Sequence, residues 1–231
     1  MSYMICIETA TAICSVALTR NGEVIVLKEN HEGNKHAAVL TQLIQNSITE
    51  AGISFNDLSA VAVSMGPGSY TGLRVGVSTA KGLCLALRIP LIAINTLESL
   101  ANVFLNKQET FASSFYLIPM LDARRMEVFC AVYDKQLNGI TPTEAKIITA
   151  ESFLEIVNDR TCYFFGNGAN KCQELITQNN AKFIDNIECS AVGLANKAYQ
   201  KWVTNDVVDL AYFEPYYLKD FVGTKPKSLT K

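Results

Sequence analysis

Apolar and polar positions alternate in short runs at the start of the chain. Residues 4–9 (MICIET), 13–19 (ICSVALT) and 24–28 (VIVLK) are β-rich runs joined by brief polar or small-residue links. Asn21-Gly22, between the second and third runs, predicts a two-residue hairpin. The period then changes. Leu40, Leu43, Ile44, Ile48 and Ala51 recur at the spacing of one helical face, which predicts a helix over 35–51, and Gly52 is its natural stop. The apolar run 60–65 (AVAVSM) predicts a buried strand. A glycine-rich turn follows, and then a helix over 71–87 that ends before Pro90.

The second half repeats this order more loosely. Strands are expected over 116–121, 128–133 and 146–149, a helix over 152–157 and a strand over 162–165. Gly166-Asn167-Gly168 then leads into a helix expected over 169–177. The order β-β-β-α-β-glycine turn-α thus occurs twice, which fits two sheet-and-helix lobes better than one doubly wound sheet. The boundary is placed in the polar stretch 102–114, giving an N-terminal lobe over 1–105 and a C-terminal lobe over 106–231 whose last segment packs back on the first.

A chain of 231 residues can bury a real core, and a hydrophobic fraction of 49% with 18% charged residues describes an ordinary globular protein. Its formal charge of -2 gives no general attraction to nucleic acid, so any RNA is expected to be held mainly by something else. The tail lysines Lys225, Lys227 and Lys231 are candidate RNA contacts, although a solvated terminus explains them as well. Seven cysteines without a C-x-x-C pair, mostly in apolar runs, point to a reducing compartment. Glu8 interrupts the first apolar run, and Lys81, Arg88 and Pro90 interrupt the most apolar region. A signal peptide and a membrane span are therefore not expected, and the protein is expected to be cytoplasmic.

The glycine turn at 66–72 is the main candidate for chemistry. It is not a P-loop, because Leu73 follows Gly72 and the first lysine is Lys81, and it does not match a dinucleotide fingerprint. Backbone N–H groups at the helix start can still hold an anion, and Ser69 or Thr71 can cap them. In the helix, Leu73, Val77, Ala80, Cys84 and Leu87 make an apolar stripe, with Gly72, Gly76 and Ala80 beside it at four-residue spacing. Helix-interior glycines cost about 1 kcal/mol each relative to alanine, and close approach of another helix is the expected compensation, within the chain or from a partner.

Other constellations are weaker. His31 and His36 are the only histidines, and their spacing does not match a helical zinc pair. Glu8, at the end of the first strand, is where a magnesium-bound nucleotide could be held, but Ala10-Thr11-Ala12 crowds that approach with Cβ atoms. Asp122-Ala123-Arg124-Arg125 reads either as a functional edge or as a salt-bridged structural turn. No Ser/His/Asp or Cys/His spacing supports a nucleophile.

The run MGPGSYTGLRVGVSTAKGLCLALRIPLIAINTLESLA (65–101) resembles the TsaB (YeaZ) proteins. So do ICIETATAICSVAL (5–18), KHAAVLTQLI (35–44), LDARRMEVFCAVY (121–133) and FFGNGA (164–169). The resemblance implies an α/β actin-like ATPase fold of the sugar-kinase/Hsp70 type, with two related lobes, each a mixed sheet with helices. It implies a non-catalytic subunit that pairs with the transferase TsaD, which makes threonylcarbamoyladenosine beside the tRNA anticodon. TsaE and ATP hydrolysis serve that cycle, and tRNA is met through the complex.

Residue by residue, TsaD-type proteins carry H-x-x-x-H on the first helix, whereas His36 is followed four residues later by Leu40, so no metal is implied. Glu8 stands where the family commonly has Asp. Glu8, Gly166 and Gly168 mark a vestigial nucleotide site at most. A partner interface is expected on Val39 and Leu43 of the first helix and on Gly72, Leu73, Gly76, Val77 and Ala80 of the second. The same surface is expected to form a homodimer when the chain is alone. A bulky residue at Gly76 is expected to block pairing and leave the isolated chain folded. The competing expectations are an actin-like ATPase or phosphotransferase using Glu8 and the glycine loops, and a metallopeptidase.

Overall fold

Alternation along the first strand sends Ile5 and Ile7 to one face of a sheet and Met4 and Cys6 to the other, and both faces are buried. The computed structural model describes residues 1–33 and 35–219; Lys225, Lys227 and Lys231 lie outside the described residues. Strands β1 (Tyr3–Glu8), β2 (Cys14–Arg20) and β3 (Glu23–Asn30) form an antiparallel meander. The β2–β3 turn is Asn21-Gly22, at φ of 52° and 88°, the left-handed pair that the dipeptide tolerates. Strands β4 (Leu58–Gly66) and β5 (Leu91–Asn95) add in parallel, giving the order β3-β2-β1-β4-β5.

Helices α1 (His36–Ala51) and α2 (Tyr70–Leu87) cover one face of this sheet. Leu40, Ile44 and Ile48 of α1 and Val77, Ala80 and Cys84 of α2 meet Ile5, Ile7, Val61 and Val63. Gly52 ends α1 at φ 66°. Ser69 starts α2, its Oγ accepting the Gly72 N–H at 3.2 Å. The other face is covered from the far end of the chain. Ala191, Leu194 and Ala198, from helix α5 (Ala195–Val203) and the turn before it, pack on Met4, Cys6, Ala17, Ala60 and Ala62. Small side chains on both sides let this helix lie close to the strands.

The second sheet repeats the topology. Strands β6 (Phe115–Asp122), β7 (Glu127–Cys130) and β8 (Glu144–Ile147) are antiparallel, and β9 (Thr161–Phe165) and β10 (Ala181–Ile184) add in parallel. The order β10-β9-β6-β7-β8 is that of the first sheet read from its other edge. Helix α3 (Thr96–Lys107) packs Leu97, Leu100 and Phe104 on one face, where Phe104 stacks on Phe165 at 4.4 Å. Ile148, Phe153 and Val157, the last from helix α4 (Leu154–Asp159), cover the other face.

Two expectations change. The polar stretch placed at 102–114 begins inside α3, a helix started by the Asn95 side chain, which accepts the Leu97 N–H at 2.8 Å. The helix expected over 169–177 is only a 3-10 turn, Asn170–Cys172. Cys172 and Ile176 reach the core directly from it, and Gln178, Asn179 and Asn180 turn the chain into β10.

The segment after α5 runs back over both sheets. Val208 bridges Leu91 on the β5 edge, and the Lys81 ammonium of α2 donates to the carbonyls of Ala211 and Phe213 at 3.3 and 3.0 Å. The Tyr216 N–H then donates to the Met65 carbonyl at 2.7 Å. Lys219 ends the described chain in an ion pair with Glu127 of β7, so this strap ties the first sheet to the second.

Candidate functional site

Both sheets point their β1 and β6 ends at an open cleft of about 650 Å³. Ala10, Thr11 and Ala12 and the glycine turn at Pro67, Gly68 and Ser69 line one side. Asp122, Arg124, Arg125 and Asn167 line the other, and Tyr216, Tyr217 and Lys219 of the strap complete it. A phosphate cradle needs free backbone N–H groups and room for oxygen atoms beside them. Here the Ser69 N–H already donates to the Ala10 carbonyl at 2.7 Å, and the Gly72 N–H to Ser69 Oγ. A Cβ on Gly68 would lie 2.6 Å from the Ala10 Cβ, so the β1–β2 turn sits directly on the glycine loop. The second glycine loop is spent in the same way. The Gly168 N–H donates to the Met120 carbonyl at 3.0 Å, and a Cβ on Gly166 or Gly168 would run into the backbone of β6.

Of the residues expected to mark a nucleotide site, Glu8, Gly166 and Gly168 lie beneath the lining, and only Asn167 between the two glycines faces the cleft. The Glu8 side chain is fully buried. Its Oε1 accepts the Ala10 N–H at 2.7 Å and the Ser64 hydroxyl at 2.8 Å, while its Oε2 has no hydrogen-bond partner. Burial pushes its pKa from 4.5 up to about 7, against the smaller opposing pull of the Ala10, Ser64 and Thr9 hydrogen bonds.

Between pH 4.5 and 7 the folded chain holds a proton that the unfolded chain has released. Stability present below the unfolded pKa is therefore lost as the pH rises through the folded one, by about 3 kcal/mol for such a shift. Glu8→Gln keeps the acceptor atom and removes the titration. Urea unfolding at pH 5 and pH 8 is expected to show a steeper loss of stability in the wild type than in the variant; parallel losses would contradict the burial of an ionisable Glu8.

The expected partner residues need a correction. Gly72, Leu73, Gly76, Val77 and Ala80 are all buried against the chain's own first sheet. A Cβ on Gly72 would lie closer than 3.0 Å to the Thr9 carbonyl, and one on Gly76 equally close to Thr9 Oγ1. The helix that these glycines let approach is α2 itself, drawn onto the end of β1. Gly76→Phe is therefore expected to disrupt the isolated chain, contrary to the sequence-based expectation. Val39 and Leu43 are half-buried and pack on the same core.

Two residues further along α2, about 200° around the helix, the face is different. Ser78, Gly82 and Ala86 are exposed at four-residue spacing, Leu85 beside them is 73% exposed, and Gly82 has open space where a Cβ would stand. On α1 the exposed residues Ala37, Ala38, Thr41, Gln42 and Gln45 carry no charge. Sequence periodicity alone could have shown this second small-residue face, because glycine and serine also recur along it.

His36 is buried with its Nε2 at 3.2 Å from the Ile13 carbonyl, a structural contact. Among the described residues no group of three or more His, Cys, Asp or Glu side chains is arranged to hold a metal ion. All seven cysteines are buried, and burial raises the thiols of Cys6 and Cys14 to about 12 and about 11, far from a reactive thiolate. Asp122 pairs with Lys171, as the structural reading of that turn expects. Among the described residues no helix is long and apolar enough to cross a membrane.

Residues 30–230 match the family described as TsaD, tRNA N6-adenosine threonylcarbamoyltransferase. The chain is 29% identical to the tRNA threonylcarbamoyladenosine biosynthesis protein TsaB of Escherichia coli K12, over 96% of each chain. It is 28% identical to the TsaB protein of Bacillus subtilis 168, over 75% of this chain and 74% of that one. Among solved structures, YeaZ from Pseudomonas aeruginosa superposes with a TM-score of 0.81 at 24% identity, covering 94% of this chain and all, 100%, of the other. The ADPNP-bound activator of 2-hydroxyisocaproyl-CoA dehydratase from Clostridium difficile superposes at 0.52 with 10% identity, over 90% of this chain and 98% of that one. Two related lobes with mixed sheets in this order are the actin-like ATPase fold.

Proposed function

The chain belongs to the TsaD family, in its TsaB (YeaZ) group, and we propose that it serves tRNA threonylcarbamoyladenosine biosynthesis as a non-catalytic subunit that binds and activates TsaD. The observation that carries the pairing is the outward face of α1 and α2. Its exposed charges are Glu50, at the end of α1, and Arg74, one turn before Ser78 on α2; between them it is small at Ser78, Gly82 and Ala86 and carries Leu85 at 73% exposure. A face of this kind lets a partner helix approach closely and gives it one apolar anchor. The same face is self-complementary enough to make a homodimer in the absence of TsaD. TsaE joins the complex, ATP is used there rather than by this chain, tRNA is met as part of the assembly, and the compartment is the cytoplasm.

The non-catalytic reading is supported by the cleft. Its loop amides at Ser69, Gly72 and Gly168 are already bonded within the chain, and Glu8 lies beneath the surface. An actin-like phosphotransferase needs those groups for phosphate and magnesium. ATP turnover by the purified chain, lost on Glu8→Ala, would favour that competing reading.

The pairing is tested with Leu85→Glu. Leu85 is exposed, so the variant is expected to melt like the wild type while its affinity for TsaD falls by at least about thirtyfold, as for a central interface anchor. Unchanged affinity in an equilibrium binding measurement would overturn the assignment of this face.

A further inference from the structure

The turn between β6 and β7 is built to hold two arginines in a conformation that arginine disfavours. Arg124 and Arg125 open a three-residue loop between Ala123 and Glu127, with φ of 70° and 51°, both in the left-handed region that glycine and asparagine enter most readily. Neighbouring groups over-determine the geometry. The Asp122 carboxylate accepts the Arg124 N–H at 3.0 Å and pairs with Lys171. The Lys171 ammonium also donates to the carbonyls of Arg125 and Glu127 at 2.6 and 2.7 Å. Asn167, from the second glycine loop, accepts the Asp122 N–H at 3.0 Å. The acid and the lysine of the cluster are thus consumed in shaping the turn. Both arginine side chains are exposed, and neither guanidinium has an ion pair or hydrogen bond among the described residues.

These two free cations stand on the rim of the 650 Å³ cleft. Tyr216 of the strap lines it at 37% exposure. Tyr217 lines it too, with its Oη sealed from solvent and without a hydrogen-bond partner. Guanidinium forks beside tyrosine rings on an open cleft are the chemistry that grips RNA, through phosphate pairing and base stacking. An acidic protein surface would use the arginines but not the rings.

We propose that the 122–127 hairpin is an RNA-binding element, in which Arg124 and Arg125 contact backbone phosphates and the cleft tyrosines receive an unstacked base of the tRNA. This rests on the reading that the chain serves tRNA modification. With a formal charge of -2, the chain adds these contacts to RNA held mainly by its partner. The backbone strain marks the side chains as the reason for the sequence, since asparagine and glycine would hold these two left-handed positions at less cost.

The test uses the full chain in complex with TsaD and unmodified tRNA, with the double variant R124N/R125G. The variant is expected to melt higher than the wild type and to bind TsaD equally well. Its tRNA affinity is expected to fall about tenfold near 0.1 M salt, and the slope of log affinity against log salt to shrink by about 1.4 to 1.8, the value for two phosphates. Lysine at both positions should restore most of the slope. An unchanged tRNA affinity and slope would overturn the proposal, as would a change in ATP binding with none in tRNA binding. If the wild-type chain gives no increase in modification at all, the functional reading fails instead, which is a separate outcome.

Discussion

Gly72→Val is expected to destabilise the protein severely, whereas Gly82→Ala, ten residues along the same helix, is expected to make it more stable. At Gly72 an added Cβ meets the Thr9 carbonyl, a backbone atom at the end of β1, closer than 3.0 Å. Neither element can yield, because β1 is the central strand of its sheet and α2 is fixed by Leu73, Val77 and Ala80 in the core. Such a backbone collision belongs with the exceptional substitutions, above about 4 kcal/mol. For a chain of this size that is a fall in Tm of at least about 10 °C. At Gly82 nothing stands within 4 Å of the new atom, the position is exposed and helical, and alanine recovers about 1 kcal/mol of helix propensity. Differential scanning calorimetry of the two variants decides the matter. Equal and small effects at both positions would mean that α2 does not lie on Thr9 as described.

The pair also shows where sequence reading stops. Periodicity finds α1 and α2, with Gly52 and Pro90 marking their ends, and the Asn21-Gly22 turn, because each rests on a local rule that tertiary contacts do not overrule. It identifies the small-residue spacing at Gly72, Gly76 and Ala80 as a close-approach face. It cannot say that the approaching element is the chain's own Thr9, because a glycine carries no side chain whose polarity distinguishes an inner face from an outer one. The outward set Ser78, Gly82 and Ala86 has the same spacing, so spacing alone does not separate the two faces.

Elsewhere the losses have other causes. Helix α3 is not among the expected elements, and its end falls in the stretch read as polar: Asn102 there is half-buried and donates to the Gly193 carbonyl at 2.9 Å, a contact far away in sequence, while Asn106 and Lys107 are exposed. The helix expected over 169–177 rests on propensity in a segment that Cys172 and Ile176 pull into the core as a 3-10 turn. The cleft is assembled from four separated segments, among them the strap at Tyr216, Tyr217 and Lys219, so no local pattern contains it. What was legible there were its parts, namely the crowding at Ala10 and the charged turn at Arg124-Arg125.

The central claim is that this chain acts on tRNA through TsaD and not by itself, and the second large effect follows from it. Activation through a bound partner is coupling between an interface and a distant site, worth about 5- to 150-fold. The Leu85→Glu variant should behave as though the chain were absent, because it retains the fold and loses the surface. The Gly82→Ala variant adds one methyl where the partner helix approaches and should weaken the activation by less than Leu85→Glu does. The most direct measurement is in vitro formation of threonylcarbamoyladenosine on unmodified tRNA, with TsaD, TsaE, ATP and the activated threonylcarbamoyl donor, in the presence and absence of this protein. The account predicts that omission lowers the rate by about a hundredfold and that the protein without TsaD forms no product. An equal rate with and without it, or product from this chain alone, would contradict the account.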